Sequence, residues 1–335
     1  GPAHPDVATS LNNLAVLYYS LGDYAKAEPL LRRSLVIREK ALGPEHPDVA
    51  ASLNNLAALY ETLGDYAKAE PLLRRSLTIK EKALGPAHPD VALSLNNMAA
   101  LYDSLGDYAK AEPLYRRSLA IREKALGPEH RDVAQSLNNL ALFYQILGDS
   151  AKAEPLHRRS LAIAEKALGP EHPDVAGSLN NLADLCQDLG DYAKAEPLYR
   201  RSLTIREKAL GSEHPLVANS LNNLAGLYDS LGDYAKAEPL YRRSLAIVEK
   251  ALGSEHPDVA TSLHNLAALY QALGDYAKAE PLYRRSLAIR EKALGSEHPD
   301  VAQSLTNLAL LTAAKDDFQG AHVLFRRAQA IDGKL

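Results

Sequence analysis

Apolar residues along the first 42 positions fall into two helical bursts separated by a polar break. Leu11, Leu14, Ala15 and Tyr18 recur at three- and four-residue steps, which puts them on one face of a first helix, helix A. Pro5 and Asp6 suit its first turn, because proline loses no needed N–H there and aspartate favours the positive helix end. The pattern predicts helix A from Asp6 to Leu21. Gly22 suits the left-handed conformation that ends a helix, and Asp23 suits the cap of the next one. Helix B is then predicted from Tyr24 to Leu42, with Tyr24, Ala27, Leu31, Ser34 and Leu35 on its inner face, and Gly43-Pro44 stops it.

The same pattern returns at a fixed period of 42. Leu11-Asn12-Asn13-Leu14-Ala15 becomes Leu53-Asn54-Asn55-Leu56-Ala57, then Leu95-Asn96-Asn97-Met98-Ala99, and ends as Leu305-Thr306-Asn307-Leu308-Ala309. His4, His46, His88, His130, His172, His214, His256 and His298 keep the phase. Eight repeats result, at 1–42, 43–84, 85–126, 127–168, 169–210, 211–252, 253–294 and 295–335. A period of about 20 to 50 marks a solenoid, in which each unit buries its face only against its neighbours. The expectation is one all-α solenoid domain over residues 1–335. Gly1-Pro2-Ala3-His4 matches Gly85-Pro86-Ala87-His88, so the chain opens in phase, as a fragment of a longer protein would. Repeat eight carries Lys315, Asp316, Gln319 and His322 at places that are otherwise mostly apolar or small, which suits a terminal cap. Repeat one has no such change, so its outer face is expected to be exposed. One residue breaks the local rule: Pro29, repeated through Pro281, sits inside helix B, where a proline costs about 3 kcal/mol or bends the helix. A slight bend in every helix B is expected.

Leu11, Leu14, Ala15, Tyr18, Gly22, Tyr24 and Ala27 have the spacing of the tetratricopeptide repeat, which the chain resembles in all eight copies. The period alone would also admit armadillo or HEAT repeats, but the small residues Ala15, Gly22 and Ala27 favour the tetratricopeptide pattern. That repeat is usually about 34 residues long. Its extension here, Ile37-Arg38-Glu39-Lys40-Ala41-Leu42-Gly43 with His46-Pro47-Asp48-Val49-Ala50, is similar to the kinesin light chain class and to bacterial multidomain proteins with such arrays. The resemblance implies a right-handed superhelix whose helices A line the concave side.

Composition narrows the chemistry. With 46% apolar and 24% charged residues the chain has the balance of a soluble folded protein. Lys and Arg number 38 against 42 acidic residues, which argues against nucleic acid as the main partner. The doublets Arg32-Arg33 to Arg326-Arg327 read as a solvated face, with Glu28 four residues before Arg32. The lone Cys186 replaces a tyrosine and reads as a core thiol that demands no oxidising compartment. No apolar run reaches the roughly 18 residues of a membrane span, and no signal peptide is visible, so a cytoplasmic location is expected. One histidine per repeat separates neighbours by a helix-packing step of about 8–10 Å, too far to converge on zinc, so these residues read as caps. No catalytic set stands out, since nearly every polar residue is replicated; neither enzymatic activity nor a cofactor is expected.

The face opposite the packed stripe carries the functional signal. At about 100° per residue, positions 9, 12, 13, 16, 19 and 20 of each repeat share it. Positions 9, 16, 19 and 20 vary most between copies, whereas asparagine holds the other two: Asn12 and Asn13, Asn54 and Asn55, Asn96 and Asn97, Asn138 and Asn139, Asn180 and Asn181, Asn222 and Asn223, then His264 and Asn265. A primary amide both donates and accepts, so this ladder suits the backbone of an extended peptide. The alternative is that one asparagine of each pair bonds to the adjacent helix and stabilises stacking. No copy has lysine or arginine at the positions of Asn12 or Val16, where tetratricopeptide domains that clamp terminal carboxylates carry them, and the basic residues with which kinesin light chains hold acidic cargo are missing. Leu93, Leu142 and Ile146 instead form an apolar stretch followed by Asp184, Asp188 and Asp229. The expected ligand is a protein or peptide segment with an apolar anchor and one or two basic residues. Two other readings stay open: an array self-associating head to tail through its repeat ends, and the sensor arm of a larger signalling protein. The near identity of the copies fits a recent duplication or a consensus design equally.

Overall fold

The computed structural model describes residues 4–333; Gly1-Pro2-Ala3, the opening of the first repeat, lies outside the described residues. Among these residues are sixteen α-helices and no strand. Packing groups them into two compact units, one ending at Leu189 and the other starting at Gly190. In the first, helices A are α1 (Pro5–Ser20), α3 (Pro47–Thr62), α5 (Pro89–Ser104), α7 (Arg131–Ile146) and α9 (Pro173–Asp188). Helices B of that unit are α2 (Tyr24–Leu42), α4 (Tyr66–Leu84), α6 (Tyr108–Leu126) and α8 (Ser150–Leu168). The second unit runs α10 (Tyr192–Leu210), α11 (Pro215–Ser230), α12 (Tyr234–Leu252), α13 (Pro257–Ala272), α14 (Tyr276–Leu294), α15 (Pro299–Ala314) and α16 (Phe318–Asp332).

Helix A starts and ends one residue earlier than its apolar pattern predicts, because the phase-keeping histidine is its cap. His46 Nδ1 accepts a hydrogen bond from the Asp48 N–H at 3.2 Å, and the other phase histidines do the same. At the far end, Gly22 adopts φ 71°, Gly22 N–H donates to Tyr19 O at 3.0 Å, and Asp23 N–H donates to Tyr18 O at 2.9 Å. These are the two paired bonds of a Schellman ending, which needs a left-handed residue at that point. Asp23 then caps α2 by accepting from the Lys26 N–H. Helices B run unbroken through Pro29 and its counterparts up to Pro281.

Small residues let A and B approach closely: Ala8, Ala15 and Ala27 are fully buried, and Ser34 Oγ donates to Ala8 O at 2.7 Å. The serine bond recurs as Ser76 to Ala50 O and Ser118 to Ala92 O. Helix B also meets the helix A that follows it, so it carries a second apolar stripe. Ile37 is buried on this side, while Leu35, expected on the inner face, is half-buried against Val49, Ala50, Leu53 and Ile79. Fully burying a side chain such as Leu53 is worth about 1.5–3 kcal/mol, repeated at every junction. A guanidinium reinforces several of these junctions. Arg122 is 5% exposed and donates through Nη1 to Asp132 O at 2.9 Å and Ser136 Oγ at 3.0 Å.

Outside, Arg32 pairs with Glu28 at 2.8 Å and Tyr60 Oη donates to the same Glu28 carboxylate, a pattern repeated in later copies. Cys186 is buried in the place of this tyrosine. The end repeats differ from inner ones. Leu17 of repeat one is 53% exposed whereas its counterpart Leu59 is fully buried. In repeat eight the polar residues stand beside exposed Phe318 and Val323, so that end is apolar in part. Among the described residues no helix is long and apolar enough to cross a membrane.

Candidate peptide-binding face

Helices A present the variable positions where the periodicity puts them. Thr9, Leu93, Gln135 and Ile146 are exposed, while Leu142, Gln145, Asp184 and Asp229 are half-buried. Asp188 is exposed and its carboxylate accepts from Gln145 Nε2 at 2.5 Å, so in the first unit the apolar stretch of α7 adjoins the acids of α9. Asp229 lies on α11 in the second unit, and burial raises its pKa.

The asparagines bond to one another across repeats. Asn55 Nδ2 donates to Asn12 Oδ1 at 2.8 Å, Asn139 to Asn96 at 2.9 Å, Asn181 to Asn138 at 2.8 Å, and Asn265 to Asn222 at 2.9 Å. His264 substitutes for an asparagine without breaking the pattern: Asn307 Nδ2 lies 3.3 Å from its Nε2. Burial pushes His264 down to about 4, so the ring is neutral near pH 7 and Nε2 serves as the acceptor. Each bond uses one acceptor site of the first amide and one donor of the second. The first residue's Nδ2 and the second residue's Oδ1 keep hydrogen-bonding capacity for a ligand. Stacking and presentation are thus combined in one pair.

Four polar atoms at or beside this face are buried without a partner: Asn54 Oδ1, Asp103 Oδ1, Asn180 Oδ1 and His264 Nδ1. Asn54 Oδ1 and Asn180 Oδ1 are the acceptors that the cross-repeat bond uses at Asn12 and Asn138, so the ladder is open at those two rungs, and a buried polar atom left unpaired costs about 1–3 kcal/mol.

Beneath the face lies a floor that the helix A pattern does not reveal. Position 31 of helix B reads Leu31, Leu73, Tyr115, His157, Tyr199, Tyr241 and Tyr283 in the first seven copies. The Tyr241 hydroxyl lies 3.5 Å from where a β-carbon on Gly226 would stand, so the floor reaches position 16. His157 is fully buried, with Nδ1 3.2 Å from Asn138 Oδ1 and Nε2 3.4 Å from Gln145 Oε1, and burial lowers it to about 4. The Tyr115 hydroxyl is raised first by burial and then by the charges of Asp103 and Glu61. Glu61 itself is pushed up to about 7 by burial, and Asp103 is raised by the same cause. Glu61 and Asp103 are absent from the apolar-then-acidic stretch read in the sequence. Their signal is there, as acids at position 19 of consecutive copies. Among the described residues no three His, Cys, Asp or Glu side chains group to hold a metal.

The tetratricopeptide repeat profile matches residues 6–82, 63–124, 132–208, 174–250, 230–292 and 258–334. Among solved structures, a variant form of a Podosopora anserina protein assigned as a kinesin light chain, with nearly identical TPR-like repeats, is 34% identical. That match covers 61% of this chain and 97% of the other, with a TM-score of 0.51. BtubC (BKLC) from P. vanneervenii is 28% identical over 71% of this chain and 93% of its own, with a TM-score of 0.53. A Rap protein solved in complex with competence and sporulation factor shares the fold at 16% identity, covering 98% of both chains with a TM-score of 0.56. No curated protein matched the chain.

Proposed function

The chain belongs to the tetratricopeptide repeat family, in its kinesin light chain-like class, and from that premise we propose a scaffold that holds an extended, cation-bearing peptide segment on the face of helices A. Repeats of this family typically mediate protein–protein interactions, and the Rap structure offers a related fold with a bound factor. The observation that carries the reading is the Gln145–Asp188 bond, which sets Leu142 and Ile146 of α7 against Asp184 and Asp188 of α9 on the face where the pairs Asn96–Asn139 and Asn138–Asn181 stand. Carboxylate and amide oxygens are acceptors, which suit the N–H groups of a peptide backbone or a basic side chain. The free amide groups of the asparagine pairs hold the backbone whatever its sequence. Leu93, Leu142 and Ile146 offer an apolar anchor, and Glu61, Asp103, Asp184 and Asp188 select positive charge.

A peptide array probed with the purified chain tests this. Sequences joining an aliphatic residue to one or two basic ones should bind best, and Asp184→Lys with Asp188→Lys should weaken them about tenfold, the equivalent of about 1.4 kcal/mol. Preference for acidic sequences, or unchanged binding in the double variant, would refute it.

A further inference from the structure

Position 38 of helix B marks a slot for a guanidinium. Arg38, Arg122, Arg206 and Arg290 each insert Nη1 between a backbone carbonyl and a serine hydroxyl on the helix A that follows. For Arg206 these are Leu216 O at 3.0 Å and Ser220 Oγ at 2.9 Å; for Arg290, Asp300 O at 3.2 Å and Ser304 Oγ at 2.8 Å. Lys80, at the same position, reaches only the carbonyl, Asp90 O, at 3.4 Å. The slot is built for a planar group with several donors, which a lysine ammonium does not replace.

Among the first seven copies, which a further helix A follows, two lack the basic residue, and they differ. Val248 fills the place, 3% exposed and packed with Val259 and Ile289. Ala164 is too short to fill it. The opposite wall is truncated as well, because Gly177 stands where other copies have Ala51, Leu93 or Gln135, and a β-carbon on it would meet nothing within 4 Å. A cavity of about 320 Å³ results, lined by both residues and by Asp132, Asp174, Ser178 and Leu168. Ser178 is half-buried there, whereas its counterparts Ser136 and Ser220 are buried under arginine. The cavity wall also includes Asn138 and Asn181, a pair of the ladder, so the slot adjoins the proposed ligand face. Arg131 belongs to the lining too, but it lies 3.7 Å from Asp132 and serves that carboxylate. Asp174 instead faces His172 at 3.8 Å.

We propose that the cavity between Ala164 and Gly177 is a binding site for an arginine side chain supplied by the ligand, which takes the place of the arginine that neighbouring repeats supply themselves. The proposal rests on the peptide-binding reading and gives it a fixed register: one arginine of the bound segment enters at the junction of α8 and α9. Its recognition elements are Asp174 O and Ser178 Oγ, the counterparts of the acceptors used by Arg122 and Arg206.

N-acetyl-arginine methylamide, with its lysine and citrulline analogues as controls, tests the site by NMR titration of the whole chain, read at the Gly177 and Ser178 amides. The arginine probe should shift both saturably, the lysine probe should bind about tenfold more weakly, and the neutral citrulline probe should not bind. Ala164→Arg, which restores the internal guanidinium, should abolish the response. Gly177→Leu should do so independently by narrowing the cavity. Arg206→Ala should create a second responding site at Leu216 and Ser220. An arginine probe that fails to bind, or that binds Ala164→Arg as well as the unaltered chain, overturns the proposal. Array-selected peptides that bind Ala164→Arg undiminished would overturn the slot and leave the peptide face standing. An arginine response without any peptide binding would do the reverse.

Discussion

At the scale of single residues, burial decides how the acids of the ligand face behave. Glu61 is pushed up to about 7 because desolvation disfavours its charged form, and Asp103 beside the same Tyr115 is raised for the same reason. The folded pKa of Glu61 lies above its unfolded value, so the stability it contributes is present below about pH 4.3 and is lost as pH rises through about 7. A cationic ligand shifts the balance, because it favours the carboxylate and expels the proton. Affinity for a basic peptide should therefore rise about threefold to tenfold between about pH 6 and about pH 8, since one linked proton allows at most tenfold per pH unit. Glu61→Gln should flatten that profile and raise thermal stability above about pH 7. Fluorescence anisotropy with a labelled array peptide checks the first, and thermal melts at the same pH values check the second. A flat profile in the unaltered chain would remove Glu61 from the contact. This acid was readable as a variable position but not as a perturbed one, because the Tyr115 beside it stands on a helix B more than a full repeat away in sequence.

At the scale of the helix pair, each signal that acts through neighbouring residues was legible. The four-residue steps of Leu11, Leu14, Ala15 and Tyr18, the Gly22-Asp23 break and the Gly43 stop predicted helix A and B within a residue, because caps and periodicity are local. What crosses repeats was legible only in outline, as the alternative that one asparagine of each pair bonds to the adjacent helix, which the Asn55–Asn12 bond bears out. Nothing near Asn12 announces that Asn55 will take its carbonyl oxygen, and nothing near Arg38 announces Ser52, since both bonds join residues far apart in sequence. The one turn that departs from the pattern makes a local prediction. Asp316 replaces the turn glycine and still adopts φ 62°, the only non-glycine residue with positive φ among the described residues. An L-residue there costs about 1–2 kcal/mol, less for aspartate, which can bond locally. Asp316→Gly should therefore stabilise the α15–α16 pair by about 0.5–1 kcal/mol. Slower amide exchange across α16 in the variant is the readout, and unchanged or faster exchange would show that the aspartate is unstrained.

At the scale of the whole chain, near neutrality conceals an ordered division of charge. Lys and Arg number 38 against 42 acids, yet the arginine doublets face outward in pairs with Glu28, Glu39 and their counterparts, whereas the acids of the helix A face include the half-buried Asp103, whose Oδ1 has no partner. Surface pairs of the outward kind are each worth about 0–1 kcal/mol, so they serve solubility more than stability. Stability comes from stacking, and in a solenoid each repeat depends on its neighbours for burial. Repeat one shows what an unstacked face looks like: Leu14 and Leu17 are exposed together with Val36, where Leu56 and Leu59 of the next copy are buried. The other end exposes Phe318 and Val323. Two different apolar ends on one chain are the requirement for a head-to-tail contact, which does not close on itself and grows with concentration. Sedimentation velocity at rising concentration should therefore show species larger than the monomer. Leu14→Gln with Leu17→Lys should suppress them without altering helix content, because neither side chain is buried in repeat one. A single sedimenting species at every concentration would eliminate self-association through the ends and leave peptide capture on helices A as the chain's proposed activity.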